Sequence, residues 1–372
     1  MVSCGEASGD LYAGALALEL LRLDPRTRIY GLGGDRLRAA GAELAADYRG
    51  LAVTGLTEAL RVVPKSFRLL RALGDRMRTD RPDVLVAIDF PDFNFRLAAA
   101  ARARGIPVVY YVSPQLWAWR PGRIKTMKAI ASKVLVIFPF EAPIYEQAGI
   151  PVEFVGHPLI DLIEVVEPRE TFLRSRGLDP SAPTVALLPG SRPNEVSAIL
   201  PVLLASVDRI RAAVPAVQFV VARAPALPDG LYERCAPGMA VVEGRTDDVL
   251  NACDLVLTAS GTATVQTAMH ERPMVIVYKL SPLTYALGRR FVRLDTFGMA
   301  NLVAGTRVVP ELIQQDFTPE RVAQEAISLL TDSARATAMR TALRAVRARL
   351  GEPGASRRAA QAVMSVARAG TA

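Results

Sequence analysis

Residues 254–264 read Asp-Leu-Val-Leu-Thr-Ala-Ser-Gly-Thr-Ala-Thr, a short apolar run that passes straight into small and hydroxylated residues. The run has the length of a buried strand, and the residues after it have the composition of a helix start. A buried strand feeding a helix is half of a βαβ unit, so the stretch points to a parallel sheet wrapped by helices. The same junction is an anion cradle. Ser260, Gly261, Thr262, Ala263 and Thr264 bring backbone N–H groups and hydroxyls to the positive end of a helix dipole, where a phosphate fits. A structural turn with a single cap is the competing reading.

Working outward, similar apolar runs recur at 184–188, 218–221, 239–242 and 274–277 in the second half, and at 1–4, 28–31, 84–88, 108–112, 134–137 and 152–155 in the first. Helical stretches separate them, which predicts an α/β fold of two doubly wound domains. Gly156-His157-Pro158 to Pro168 reads as the connector, since Gly and Pro punctuate it. The expected organisation is a first domain over 1–165, a second over 166–345, and a closing helix over 346–372 that returns to the first. The last helices, Ala- and Arg-rich from Pro319 to Ala369, should break at 351–354, where two glycines and a proline fall.

At 372 residues and 51% hydrophobic content the chain is long and apolar enough for two packed cores. Cys4, Cys235 and Cys253 lack metal or disulfide spacing, and His157 and His270 are the only histidines. A thiolate or His-rich metal centre and a Ser/His/Asp triad are therefore not expected, and a reducing compartment is. No run approaches the ~20 apolar residues a membrane span needs, and Glu6 and Asp10 interrupt the place where a signal peptide would be apolar.

A net charge of +8 favours anionic partners. Between Leu60 and Arg81, arginines and Lys65 interleave with Val62, Val63, Phe67, Leu69, Leu70, Leu73 and Met77. Such a helix can lie in a membrane interface, with Arg68 and Arg71 on lipid phosphates, or be an ordinary surface helix with a solvated face. Pro64 is expected to break it. Nucleic acid is not expected, because aromatic platforms are missing from the basic clusters.

Parallel sheets bind ligands beyond the carboxyl ends of their strands. Four turns there carry chemistry. Gly-Glu-Ala-Ser-Gly-Asp (5–10) holds Glu6, which capping does not require, and Asp10, which reads as a cap for the helix it opens. Asp-Phe-Pro-Asp-Phe-Asn (89–94) holds two carboxylates and an amide suited to general-base or hydroxyl-binding work, or to turn formation. Residues 113–120 hold Ser113, Gln115 and both tryptophans, Trp117 and Trp119, which can border sugar or acyl groups or pack in a core. Leu-Pro-Gly-Ser-Arg (188–192) sets Arg192 where a guanidinium grips phosphate oxygens. Gly31-Leu32-Gly33-Gly34 fails as a dinucleotide fingerprint, since Arg36 stands where its last glycine belongs.

Gly-Glu-Ala-Ser-Gly-Asp (5–10), Ile-Asp-Phe-Pro-Asp-Phe-Asn (88–94), Tyr-Val-Ser-Pro-Gln-Leu-Trp-Ala-Trp-Arg (111–120), Phe-Pro-Phe-Glu (138–141), Gly-His-Pro-Leu (156–159), Leu-Pro-Gly-Ser-Arg (188–192), Ala-Ser-Gly-Thr-Ala-Thr (259–264) and Asn-Leu-Val-Ala-Gly (301–305) together resemble the lipid A disaccharide synthases. The resemblance covers nearly the whole chain in order. It implies a GT-B fold and transfer of diacylglucosamine from its UDP form to the 6-hydroxyl of diacylglucosamine 1-phosphate, with inversion, without metal or cofactor, on the cytosolic face of the inner membrane.

The resemblance also sorts residues into roles. UDP is expected on Ser191, Arg192, Ser260 to Thr264, Gln266 and Asn301. The base is expected to be Asp89, with Glu6 and then Asp92 behind it. Ser8, Asn94, Ser113, Gln115, Trp117 and Trp119 are expected to border the acceptor and its acyl chains. Val62, Val63, Phe67, Arg68, Leu69, Leu70 and Arg71 are expected to meet the anionic bilayer, the protein acting as monomer or homodimer. The chain departs from the family pattern in three places. Only Met1–Cys4 precede Gly5, where several more strand residues are usual. Gln266 replaces the usual glutamate, which forfeits a charge-assisted hydrogen bond to ribose worth about 1 kcal/mol. Ala300 replaces the proline usual before Asn301, which loosens that loop. Two rival readings stay open: a UDP-sugar 2-epimerase of the same fold, and a non-catalytic nucleotide-binding peripheral membrane protein.

Overall fold

A computed structural model describes residues 1–50, 56–116, 122–225, 227–235, 238–279, 296 and 298–371, with backbone only at 50, 56–62 and 371. The chain divides into two compact units, one of Met1–Leu162 with Leu350–Ala372 and one of Ile163–Arg349.

The first unit runs β1 (Val2–Cys4), α1 (Ala7–Leu23), β2 (Tyr30–Gly33), α2 (Asp35–Ala39), β3 (Glu43–Asp47), α3 (Leu56–Asp80), β4 (Leu85–Ile88), α4 (Pro91–Arg102), β5 (Val108–Tyr111), α5 (Arg123–Ile130), β6 (Lys133–Val136), α6 (Ala142–Gln147), β7 (Val152–Phe154) and α7 (Leu159–Leu162). The second runs α8 (Arg169–Arg174), β8 (Thr184–Leu188), α9 (Pro193–Ala213), β9 (Gln218–Arg223), β10 (Ala240–Glu243), α10 (Thr246–Ala252), β11 (Leu255–Ala259), α11 (Thr262–Met269), β12 (Met274–Tyr278) and β13 (Glu311–Ile313). Three helices follow, Pro319–Thr331 and Ser333–Arg349 in the second unit and Ala355–Thr371 in the first, where it packs on α1.

Both sheets are parallel, with strand orders β3-β2-β1-β4-β5-β6-β7 and β10-β9-β8-β11-β12-β13. The expected α/β class with two doubly wound sheets is what forms. The central strands β4, β5, β8 and β11 are buried along their whole length, because helices cover both faces. The edge strands β3 and β13 escaped the sequence reading. Glu43-Leu-Ala-Ala-Asp47 and Glu311-Leu-Ile313 are too short and too polar to stand out as buried runs.

Three expectations need correcting. Helix α3 continues through Pro64 instead of breaking there: a proline removes a single helical hydrogen bond, and the turns on both sides of this exposed one stay helical. Gly31 and Gly33 lie in β2, not in a turn after it; a Cβ on Gly31 would stand 1.9 Å from the Val2 carbonyl oxygen, so this glycine serves the close approach of β1. Asp10 caps α2, not α1. Its buried carboxylate accepts from the N–H groups of Gly34 at 2.6 Å, Arg36 at 2.9 Å and Leu37 at 3.2 Å.

Candidate active site

A doubly wound sheet reverses its strand order at one point, and ligands bind in the crevice there. In the first sheet the reversal falls between β1 and β4, in the second between β8 and β11. The turns after those four strands are four of the five singled out by sequence, Gly5–Asp10, Asp89–Asn94, Pro189–Arg192 and Ser260–Thr264; the fifth, 113–120, follows β5.

In the first unit Cys4 pairs with Ile88, which brings the Glu6 and Asp89 turns side by side. Gly5 lets them close up, since a Cβ there would lie 2.1 Å from the Phe90 ring. Asp89 and Phe90 both take left-handed backbone angles, φ 43° and 49°, and Val112 at the end of neighbouring β5 takes φ 57°. Such conformations cost about 1–3 kcal/mol each and persist only where neighbours hold them. Here the Asp89 carbonyl accepts from Asn94 Nδ2 and from the Tyr110 hydroxyl, both at 2.8 Å. Its N–H donates to the Tyr111 and Val112 carbonyls at 3.2 Å. Asp89 is half-buried, as are Glu6 and Ser8 on the adjoining turn.

Asn94, expected at the acceptor, is instead fully buried. Its amide also donates to the Ser3 and Ile88 carbonyls and accepts from the Ser3 hydroxyl at 2.7 Å, so it is a clamp on the Asp89 turn. Asp92 stands in the first turn of α4, 80% exposed, in an ion pair with Arg123 at 2.5 Å. Ser113 is buried, donates to the Pro114 carbonyl at 3.0 Å and is hydrogen-bonded to the Tyr145 hydroxyl, while Gln115 is exposed. Trp117 and Trp119 lie outside the described residues.

His157 follows β7 at the same edge and was not given a role from sequence. It is buried among the rings of Tyr12 and Phe138, and its Nδ1 accepts from the Leu159 N–H at 3.2 Å. Burial lowers its pKa to about 3, so it is neutral, with its proton on Nε2.

In the second unit Leu188 pairs with Thr258, which places the Arg192 turn beside the start of α11. Glu195 organises the first of these. Its carboxylate packs under Gly190, accepts from the Ser191 N–H at 3.2 Å and pairs with the exposed Arg192 at 2.9 Å. Gly261 takes φ 146° as the N-cap of α11, with nothing within 4 Å of where a Cβ would stand. Gly261, Thr262 and Ala263 keep this helix start open to solvent, where its first N–H groups lack intrahelical acceptors.

Two expected donor ligands are engaged within the chain. The Thr264 hydroxyl is buried and donates to the Gly261 carbonyl at 2.7 Å. Asn301 is buried and its amide is saturated, donating to the Val309 carbonyl at 3.0 Å and Glu311 Oε1 at 2.6 Å and accepting from the N–H groups of Val308 and Val309. It braces the loop before β13. Gln266, one turn into α11, donates from Nε2 to Asp247 at 2.8 Å. Among the described residues no His, Cys, Asp or Glu side chains gather in a metal-ligating group.

These turns match a known pattern along almost the whole chain: residues 1–366 fit the model of the family described as lipid-A-disaccharide synthetase. The chain belongs to that family. The lipid-A-disaccharide synthase of Geobacter sulfurreducens is 44% identical over 373 residues, covering 98% of this chain and 96% of that one. That of Syntrophus aciditrophicus is 41% identical over 365 residues, covering 97% and 95%. Among solved structures, the UDP-GlcNAc 2-epimerase of Neisseria meningitidis bound to UDP-GlcNAc superposes with a TM-score of 0.70 at 11% identity, covering 98% of this chain and 99% of that one. The glycosyltransferase of kitacinnamycin gives 0.65 at 19%, covering 98% of each. At such identities the likeness is one of fold, the two-domain GT-B architecture. The chain is thus a glycosyltransferase of lipid A synthesis, as its motifs implied, and the epimerases are relatives in fold only.

Proposed function

We propose that this chain joins two diacylglucosamine units by moving one from UDP to the 6-hydroxyl of diacylglucosamine 1-phosphate, with Asp89 as the base. The observation that carries the reading is the clamped, left-handed Asp89 turn at the reversal point of the first sheet. Strain held in place by buried partners is what a positioned catalytic group requires. The acceptor oxygen forms a bond to the anomeric carbon as the bond to UDP breaks on the opposite face, and the hydroxyl proton passes to the Asp89 carboxylate. Glu6 is the second choice. Asp92 ranks last, because its ion pair to Arg123 and its exposure suit a surface role. The departing diphosphate gains charge, and the open start of α11 with Ser260, Ser191 and Arg192 would stabilise it through N–H groups and a guanidinium. Gln266 would take the ribose. Ser8, Ser113 and Gln115 would border the acceptor.

The substrates are lipids, and we place the chain on the cytosolic face of the inner membrane through α3. No described helix is long and apolar enough to cross a membrane. Along α3, Val63 and Phe67 are 46% and 54% exposed, beside exposed Lys65, Arg68 and Arg71. Leu69 and Leu70, expected on that face, instead pack against the core with Leu73 and Met77, because a 3.6-residue period turns them inward. The side chain of Val62 lies outside the description.

The test is to incubate the purified protein with both lipid substrates in mixed micelles and follow UDP release and disaccharide mass. Asp89→Asn, which keeps a residue tolerant of left-handed angles, should lower kcat by about 10²–10⁴ with KM little changed. Unchanged turnover would remove Asp89 from the base role.

A further inference from the structure

Two adjacent carboxylates at the start of α10 have different work. Asp248 is buried and accepts from the N–H groups of Val166 and Glu167, both at 2.8 Å, and from Arg245 at 2.6 Å, so it tethers the segment before α8. Asp247 faces α11. Its Oδ1 accepts from Gln266 Nε2 and pairs with His270 Nε2, both at 2.8 Å, and its Oδ2 accepts from the Glu164 N–H at 3.3 Å. Gln266 and His270 stand four residues apart, on one face of the helix that opens at the Gly261 cradle.

A carboxylate only accepts hydrogen bonds, so its partner on Gln266 must be the NH₂ group. The amide is planar, and with its nitrogen bound to Asp247 the carbonyl oxygen is turned to the other side. Among the described residues that oxygen receives no hydrogen bond, and it is not a buried orphan either. Gln266 therefore presents its carbonyl oxygen to a ligand as an acceptor, while one of its two N–H groups is held by Asp247. Asp247 is itself held from two sides, by His270, which is 7% exposed, and by the Glu164 amide. The amide it directs has little freedom to flip.

We propose that Asp247 is a positioning residue for the nucleotide donor: it fixes Gln266 so that Oε1 accepts a hydrogen bond from a ribose hydroxyl of the nucleoside diphosphate. This deepens the donor-site reading above and rests on its placing UDP at the start of α11. A probe lacking the hydroxyls should then lose what Gln266 supplies, whereas a probe of general folding would not discriminate.

Calorimetric titration of UDP and of 2′,3′-dideoxy-UDP, against the native chain and against Gln266→Ala, Asp247→Ala and Asp247→Ser, tests this. The native chain should prefer UDP by about tenfold, the scale of one well-placed hydrogen bond. All three variants should cut the preference to about twofold while binding dideoxy-UDP nearly as the native chain does. Asp247→Ser, small and polar, carries the readout if the alanine variant melts below the assay temperature. If Gln266→Ala loses the preference and both Asp247 variants keep it, Gln266 orients itself and the proposal fails while the donor site stands. If Gln266→Ala also keeps it, Gln266 does not meet the ribose hydroxyls and the proposal fails; if the native chain binds neither nucleotide, the donor-site reading fails and this proposal with it.

Discussion

Asn94 donates its side-chain amide to the Asp89 backbone carbonyl at 2.8 Å, across the first turn of α4. The same group reaches the Ser3 and Ile88 carbonyls, so one buried amide ties the ends of β1 and β4 to the strained turn that leads from β4 into α4. Replacing Asn94 by Ala removes these bonds and leaves the buried Ser3 hydroxyl without its acceptor, which should cost about 1–3 kcal/mol of stability. The turn relaxes as well. We expect a urea midpoint shifted down and kcat lowered about tenfold or more in the fraction that stays folded. Native turnover in that fraction would show that Asp89 needs no such clamp.

Gly5 is where the phenyl ring of Phe90 lies against the backbone, and a methyl group there would overlap the ring. Gly5→Ala should push Phe90, and Asp89 with it, out of place. Activity should fall by about 10² or more. If UDP binds the second unit as proposed, its affinity should be unchanged by calorimetry; a parallel loss of UDP binding would contradict the separation of the two half-sites.

Val63 and Phe67 point away from the core and Leu69 and Leu70 into it. Val63→Ser with Phe67→Ser should reduce co-sedimentation with anionic vesicles and leave the melting temperature within a few degrees. Leu69→Ser with Leu70→Ser should act the other way, lowering stability by about 2–4 kcal/mol through lost burial. Vesicle binding insensitive to the first pair would exclude α3 as the membrane face.

His157 is neutral in its apolar pocket, with its pKa lowered from 6.5 to about 3 by burial. Between these values the unfolded chain binds a proton that the folded chain does not, so stability rises with pH across the window. The contribution is complete above about pH 6.5, falls by up to about 1.4 kcal/mol per pH unit below it, and levels off near pH 3. His157→Phe, similar in size, should flatten that slope in urea titrations at pH 4.5 and 6.5. An unaltered slope would place the pH dependence in other groups.

A glutamate at 266 would set a second carboxylate against Asp247. Gln266→Glu should therefore destabilise the second unit at pH 8 by about 1 kcal/mol or more. Adding Asp247→Asn should restore most of the loss, a coupling that a double-mutant cycle on melting temperatures would measure. Additive effects would mean the two side chains do not meet.

Much of this was legible in the chain because it is written in contiguous residues. The alternation of apolar runs with helical stretches announced two parallel sheets, and four of the five turns singled out by sequence fall at the strand-order reversals. Polar edge strands such as Glu43–Asp47 carry no periodic signal, and Pro64 misled because the loss of one helical hydrogen bond did not outweigh the rest of α3.

Local pattern determined the strands, the helix starts and the family, since strand burial, small-residue turns and motif order are properties of neighbours along the chain. Which polar side chains face a ligand was decided only in three dimensions. Asn94, Asn301 and Thr264 look like ligands in a motif, yet each is turned inward to satisfy backbone groups that burial would otherwise leave unpaired. Asp247, unremarkable in sequence, meets Gln266 nineteen residues away because α10 and α11 both rise from one sheet edge. A hydrogen bond depends on where folding puts its two ends, and for these residues the chain order says nothing of that.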